Sequence, residues 1–89
     1  MPEVHIPPRY RGPTKGERLV EVAGDTVREC IEAVEARHPG FGELVFDANG
    51  EVRLYATVFV NGEELDRAAG DTEVAENDRI EILAAVAGG

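Results

Sequence analysis

The stretch LYATVFVNG, from Leu54 to Gly62, predicts a β-strand that runs directly into a hairpin turn. Aromatic and β-branched residues favour a pleated strand over Leu54 to Val60. The Asn61-Gly62 pair that follows tolerates the positive φ angles of a tight hairpin. We therefore expect Glu63 to Leu65 to fold back on the preceding strand.

Two more strands are predicted near the N-terminus. Apolar residues alternate over Val4 to Ile6, and Pro7-Pro8 then ends regular pairing because proline has no N–H to donate. We interpret Arg9 to Gly16 as a loop and Leu19 to Val22 as the second strand. Their close spacing indicates an antiparallel pair.

One amphipathic helix is predicted after this pair. Thr26 and Glu29 are spaced as a capping box at its start, and His38-Pro39-Gly40 ends it. Apolar side chains recur at helical spacing, which predicts one buried stripe. The stripe consists of Val27, Cys30, Ile31 and Val34. Because Cys30 lies on it, we interpret this thiol as a small core side chain and not as a sulfur relay.

The remaining segments complete the order of elements. Phe41 to Phe46 is compatible with a short helical turn, Asp47 to Gly50 with a tight turn and Asp71 to Asn77 with a polar connection. Apolar residues alternate again in the last predicted strand, Arg79 to Leu83. This order predicts an α+β fold, in which one main helix packs on one face of a mixed sheet.

The composition favours a small binding or carrier domain. With 89 residues, a single domain is expected, and 6% aromatic residues leave little area to enclose a cofactor cavity. A net charge of −9 argues against nucleic acid and membrane surfaces as partners. One cysteine, no signal peptide and no long apolar run make a cytoplasmic protein the expected class.

Three segments together resemble the ubiquitin-like sulfur carriers of the MoaD/ThiS type, which serve thiamine, molybdopterin and cysteine biosynthesis. They are Val58 to Gly62, Asp78 to Ile82 and the Val86-Ala87-Gly88-Gly89 ending. Ile6-Pro7-Pro8 and the ending are most similar to the subgroup that supplies a cysteine synthase. Ala84 departs from that subgroup, whose members commonly have proline there.

The resemblance implies a β-grasp domain over residues 1–83 and a flexible tail over residues 84–89. It also implies the chemistry of the tail. The carboxylate of Gly89 would be adenylated with ATP by an E1-like adenylyltransferase and sulfurtransferase, and then converted to a thiocarboxylate. Val86, Ala87 and Gly88 would bind in the enzyme's tunnel, where two glycines without Cβ atoms let the backbone approach the nucleotide. A downstream synthase would accept the sulfur, and no permanent cofactor would be needed.

Strand alternation also predicts a docking surface. Val58 and Val60 should face the helix, which leaves Phe59 on the opposite face together with Leu83 beside the tail. Such a patch would suit docking to the activating enzyme, whereas single exposed apolar residues are also common without any role. His5 and His38 have no partners at metal-ligand spacing, so we expect no metal site and interpret both as surface residues.

Several functions remain open at this point. The acceptor enzyme implied by the subgroup makes cysteine, and the alternatives are a molybdopterin synthase, for which the chain would be the small subunit, and sulfur supply to thiamine or a specialised metabolite. A ubiquitin-like modifier would use the same activated carboxyl to form an amide with a lysine. A plain interaction domain with an idle tail is the third class.

Overall fold

The computed structural model describes residues 1–84. The strands are β1 (Glu3–His5), β2 (Leu19–Glu21), β3 (Ala56–Val60), β4 (Glu63–Glu64) and β5 (Arg79–Ala84). The helices are α1 (Val27–Arg37) and α2 (Gly42–Val45), and short 3₁₀ turns cover Pro8–Tyr10 and Ala69–Asp71.

The five strands form one mixed sheet in the order β2-β1-β5-β3-β4. The last strand, β5, therefore lies at the centre, parallel to β1 and antiparallel to β3. The two hairpin pairs, β1 with β2 and β3 with β4, are antiparallel as predicted. Asn61 and Gly62 adopt the positive φ angles that the hairpin turn requires. A mixed sheet with one main helix is thus confirmed.

Helix α1 begins at the predicted N-cap, Thr26, although the returning bond from Glu29 goes to the residue before it and not to Thr26. The N–H of Glu29 donates to the Thr26 hydroxyl oxygen at 3.1 Å, and the Glu29 carboxylate accepts from the N–H of Asp25 at 2.9 Å. A cap of this kind contributes about 1 kcal/mol to stability. The helix ends where the N–H of His38 donates to the Val34 carbonyl, two residues before Gly40 turns the chain at φ 104°.

The core lies between α1 and one face of the sheet. All four residues of the predicted helix stripe are buried, as are the alternate strand residues that face them. Those strand residues are Val4, Val20, Val58, Ile80 and Ile82. Phe41, just before α2, is also fully buried and closes one end of the core. The opposite sheet face carries no helix in the described part of the chain.

Several predicted boundaries are wrong. Strand β3 begins at Ala56 and not at Leu54, because the N–H of Ala56 donates to the Arg53 carbonyl and makes Leu54 and Tyr55 a turn. Strand β5 extends one residue beyond its predicted end, since Ala84 pairs with Ala56.

Three side chains are also less exposed than the sequence suggested. The predicted loop after β1 buries Tyr10 and Thr14, and the Thr14 hydroxyl donates to the Glu17 carbonyl at 3.0 Å. His38 is not a surface residue: only 12% of its side chain is exposed, and its Nε2 lies 3.3 Å from a carboxylate oxygen of Glu17.

Candidate functional site

The site predicted from the sequence is reached through the end of β5. This central strand ends at Ala84, which pairs with Ala56 at the start of β3. The tail residues singled out above, Val86, Ala87, Gly88 and Gly89, lie outside the described residues. The described part of the site is therefore the sheet end from which the chain continues towards Gly89, here called the exit end.

The strand directions determine which segments surround the exit end. Because β1 is parallel to β5, the residues that follow β1 lie there, beginning with Ile6. Because β3 is antiparallel to β5, the residues that precede β3 lie there as well. The exit end is thus bordered by the 3₁₀ turn Pro8–Tyr10 on one side and by Arg53 to Tyr55 on the other.

Phe59 and Leu83 lie on the sheet face that α1 does not cover. Phe59 is opposite Glu81 on β5 and Glu64 on β4, while Leu83 is opposite Thr57. The two apolar residues are therefore diagonal neighbours on one face. Leu83 is 53% exposed and Phe59 is half-buried. The geometry places both where the sequence predicted, and their role in docking stays a prediction.

Three further exposed apolar residues lie at the exit end, and the sequence does not predict them. Leu54 is 81% exposed, Tyr55 is 46% exposed and its ring lies 6.0 Å from the Arg53 guanidinium carbon, and Leu19 is 40% exposed at the start of β2. The sequence predicts a strand at Leu54 and Tyr55, because their side chains suit one. No local signal distinguishes that strand from the observed turn.

Cys30 does not belong to the site. Its side chain is fully buried in α1, and burial, with the nearby carboxylates of Glu29 and Asp25, raises the pKa of the thiol to about 11. Gly24 packs directly against it, since a Cβ at Gly24 would lie 2.9 Å from the sulfur. The interpretation of Cys30 as a core side chain is confirmed.

The described residues contain no cluster of metal-ligand type. Among residues 1–84, no three or more His, Cys, Asp or Glu side chains are gathered so that they would hold an ion. The same residues include no helix with the length and apolar character to span a bilayer.

Nearly the whole chain matches a protein family. The model of the ThiS family matches residues 5–89. The chain belongs to the ThiS family. It is also 35% identical to the sulfur carrier protein CysO of Mycobacterium tuberculosis over 89 residues, which are 97% of this chain and 96% of that protein. These matches confirm the predicted resemblance and a carrier type of protein that is not an enzyme.

Solved structures confirm the β-grasp, ubiquitin-like fold of this ThiS-family chain. The structure of the BexX/CysO complex of Amycolatopsis orientalis contains a chain that is 37% identical, with a TM-score of 0.91 and full coverage of both chains. SAMP1 from Haloferax volcanii is 30% identical, with a TM-score of 0.75 and coverage of 99% of this chain and 98% of SAMP1. Both similarities extend through the exit end.

Proposed function

We propose that this chain is a sulfur carrier whose Gly89 carboxylate is activated with ATP and converted to a thiocarboxylate. The observation that carries the proposal is the match to CysO proteins over nearly the whole length of both chains. The sulfur would then pass to a synthase that makes cysteine. Ala84, which replaces the proline common in that subgroup, does not interrupt the last strand.

The described fold suits delivery of a carboxyl group at a distance. Five residues follow Ala84 in the sequence, and fully extended they reach roughly 17 Å, enough to cross a narrow tunnel while the folded body stays outside. The tail follows β5, the central strand of the sheet, which pairs with both β1 and β3. The partner would bind the folded domain and supply the catalytic groups.

Two steps would convert the carboxylate. The oxygen of Gly89 attacks the α-phosphate of ATP and releases pyrophosphate, which leaves an acyl adenylate with AMP as the leaving group. A sulfur nucleophile then attacks the carbonyl carbon and displaces AMP. An E1-like adenylyltransferase and sulfurtransferase would perform both steps, and the buried, neutral thiol of Cys30 takes no part.

We assign docking to that enzyme to the open sheet face, which is the face that α1 does not cover. Phe59 and Leu83 supply an apolar centre, and Glu64 and Glu81 lie beside Phe59 as a charged border. The BexX/CysO complex supports a protein partner for this type of carrier. Since activation consumes ATP, we place the protein in the cytoplasm.

A protein modifier is the second candidate. The similarity to SAMP1, a small archaeal modifier protein, favours it. In that role, the activated Gly89 carbonyl would be attacked by a lysine amine of a target protein, and an amide would replace the thiocarboxylate. The two functions share activation and differ in the acceptor.

The test is to incubate the full chain with ATP, sulfide and the adenylating enzyme of the same organism. The expected product is a chain whose intact mass has increased by the difference between sulfur and oxygen, with the change located in the last peptide. A modifier would instead give conjugates of higher mass in cell extract, which persist in reducing gel buffer. No change of the C-terminus under either condition contradicts both candidates.

A further inference from the structure

The positive charges of this acidic chain are unevenly paired. Within residues 1–84, the arginines that form ion pairs with carboxylates are Arg28, Arg67 and Arg79. The other cationic side chains have no carboxylate partner in that part of the chain. They are Arg9, Arg11, Lys15, Arg18, Arg37 and Arg53. Carboxylates outnumber cationic side chains by 18 to 9 in this chain. The location of the cations that still lack a carboxylate partner therefore shapes the charge distribution on the surface.

All of these unpaired cations except Arg37 lie at the exit end. Arg9 and Arg11 follow β1, which is parallel to β5. Arg18 precedes β2, and its carbonyl accepts from the N–H of Ile6 at 2.8 Å. Arg53 comes just before the turn that leads into β3, on the other side of β5. We call Arg9, Arg11, Lys15, Arg18 and Arg53 the basic collar.

Local contacts hold two of the collar arginines in place. The Nε of Arg11 donates to the Ile6 carbonyl at 3.1 Å, and that of Arg53 donates to the Glu43 carbonyl. Burial and Tyr55 raise the pKa of Tyr10, and the positive charges of Arg53 and Arg9 oppose that rise, so both arginines are near enough to act on the same hydroxyl. Arg9 and Arg18 are exposed. The collar therefore combines segments that are far apart in the sequence.

Several carboxylates near the collar have partners outside it, although Arg53, after the backbone N–H of Glu51, also helps to lower the pKa of the Asp47 carboxyl. Glu17 faces His38, and Asp47 and Glu51 both lie 3.9 Å from Arg67. Asp66 accepts from the N–H of Ala68. The five cationic side chains of the collar thus form no ion pair within residues 1–84, in a chain whose net charge is −9.

We propose that the basic collar docks on an acidic rim around the opening of the partner enzyme that receives the tail. This inference rests on the proposed function and adds the chemistry of the partner surface. The collar would attract that rim, while the acidic remainder of the chain would be repelled by it. The two effects together would orient the carrier so that the tail meets the opening first.

The expected effect is on the rate of association more than on the lifetime of the complex. Charges at the edge of an interface steer encounter, and oriented fields raise association rates by roughly 10- to 1,000-fold. The effect decreases with salt, because the Debye length is only about 8 Å at physiological ionic strength.

A first experiment tests the collar without any enzyme. The ¹⁵N-labelled full chain is titrated with a hexaglutamate peptide at low ionic strength, and amide shifts are followed by NMR. We expect shifts confined to residues 9–18 and the region of Arg53, lost in the double variant Arg9→Glu/Arg18→Glu and at high salt. Arg37→Glu, an exposed and unpaired arginine outside the collar, is the matched control and should leave the shifts intact.

Three results would overturn the inference. Shifts that are absent, or that persist in the double variant, exclude an acid-binding collar. Tighter binding of inorganic pyrophosphate than of hexaglutamate at the same amides assigns the collar to phosphate groups instead of an acidic protein surface. Unchanged melting temperatures of the variants exclude misfolding as the cause of lost shifts.

The second experiment uses the adenylating enzyme of the same organism and stopped-flow association. The double variant should associate about tenfold more slowly than the native chain at low salt and nearly as fast at high salt. Arg37→Glu should stay within about twofold of native. A faster double variant would mean that the partner rim is basic. Absence of sulfur loading by the native chain counts against the proposed function and is separate from the hexaglutamate result.

Discussion

Leu83 lies diagonally across the β3–β5 pair from Phe59, on the sheet face that α1 leaves uncovered. The two residues belong to neighbouring strands whose other alternate positions fill the core. The Phe59 and Leu83 side chains form an apolar patch on this face, while the core positions on the other face are unaffected. It also sets the choice of substitution, because a carboxylate at position 59 would stand between Glu64 and Glu81 and add repulsion unrelated to docking.

Phe59→Ser is therefore predicted to weaken binding to the adenylating enzyme while the domain stays folded. The half-buried ring contributes little to the core, so a loss of about 1 kcal/mol of stability is expected. Binding measured by calorimetry should weaken by about tenfold or more, because apolar centres of interfaces carry most of the affinity.

Val58→Ser is the matched control on the other face of β3. Val58 is 1% exposed, so a buried hydroxyl and lost packing should cost about 2 to 4 kcal/mol in chemical denaturation. If Phe59→Ser unfolds the domain and Val58→Ser does not, the assignment of the two faces is wrong.

Cys30→Ala is predicted to cost stability without affecting sulfur loading. The side chain is fully buried against Gly24, so its loss should cost about 1 to 3 kcal/mol. Loading measured by intact mass should equal that of the native chain. A folded variant that cannot be loaded would return this thiol to the catalytic candidates.

The same thiol predicts a pH dependence of stability. Its pKa is raised to about 11 in the folded chain, so the unfolded chain loses this proton at lower pH. The stabilisation is complete below the ordinary thiol pKa and is lost as pH rises through about 11. Denaturation curves should therefore show a steeper decline in stability over this alkaline range for the native chain than for Cys30→Ala, in which the raised pKa of Tyr10 still contributes. Parallel curves for the two proteins would exclude the effect.

The fold and the open-face residues were predictable because they depend on short patterns. Alternation placed Phe59 and Leu83 opposite the core, and the Thr26–Glu29 spacing located the start of α1. The start of β3 was not predictable, since Arg53 is held by a bond from its N–H to the Val45 carbonyl and that contact is not local. The basic collar was missed for a related reason: its members meet only because β5 inserts between β1 and β3.

Asn61→Ala is predicted to destabilise the hairpin end of the sheet. The side-chain NH₂ group of Asn61 donates to the Asp78 carboxylate at 2.9 Å, and its side-chain oxygen accepts from the backbone N–H of Arg79 at 2.9 Å. The backbone φ of Asn61 is 51°. Loss of these bonds together with left-handed strain should cost about 2 kcal/mol in chemical denaturation. Asn61→Gly keeps the turn and loses only the bonds, so it should fall between native and Asn61→Ala.

Asn61 also contributes to the acid stability of the chain. The N–H of Ala75 and then the Asn61 amide lower the pKa of Asp78. A carboxyl group whose pKa is lowered by folding stabilises the fold at pH values above its ordinary pKa. This stabilisation is lost as the pH falls through the lowered pKa. The difference between native and Asn61→Gly should therefore shrink in acid. A constant difference down to the acid transition would contradict this linkage.

The C-terminal tail should accept sulfur only when its length is native. Removing Gly89, or adding one residue after it, should abolish the sulfur-dependent mass increase with ATP, sulfide and the adenylating enzyme, because the reacting carbonyl is moved away from the nucleotide. Melting temperatures should stay within about 1 °C of native, since the buried core residues lie within positions 4–82. Gly89→Ala is the matched control of equal length. It should reduce loading less than the deletion does, because it keeps the carboxyl in register and adds only a Cβ near the nucleotide. Loading that survives both the deletion and the extension would show that Gly89 is not the acceptor of sulfur, whatever the likeness of the fold.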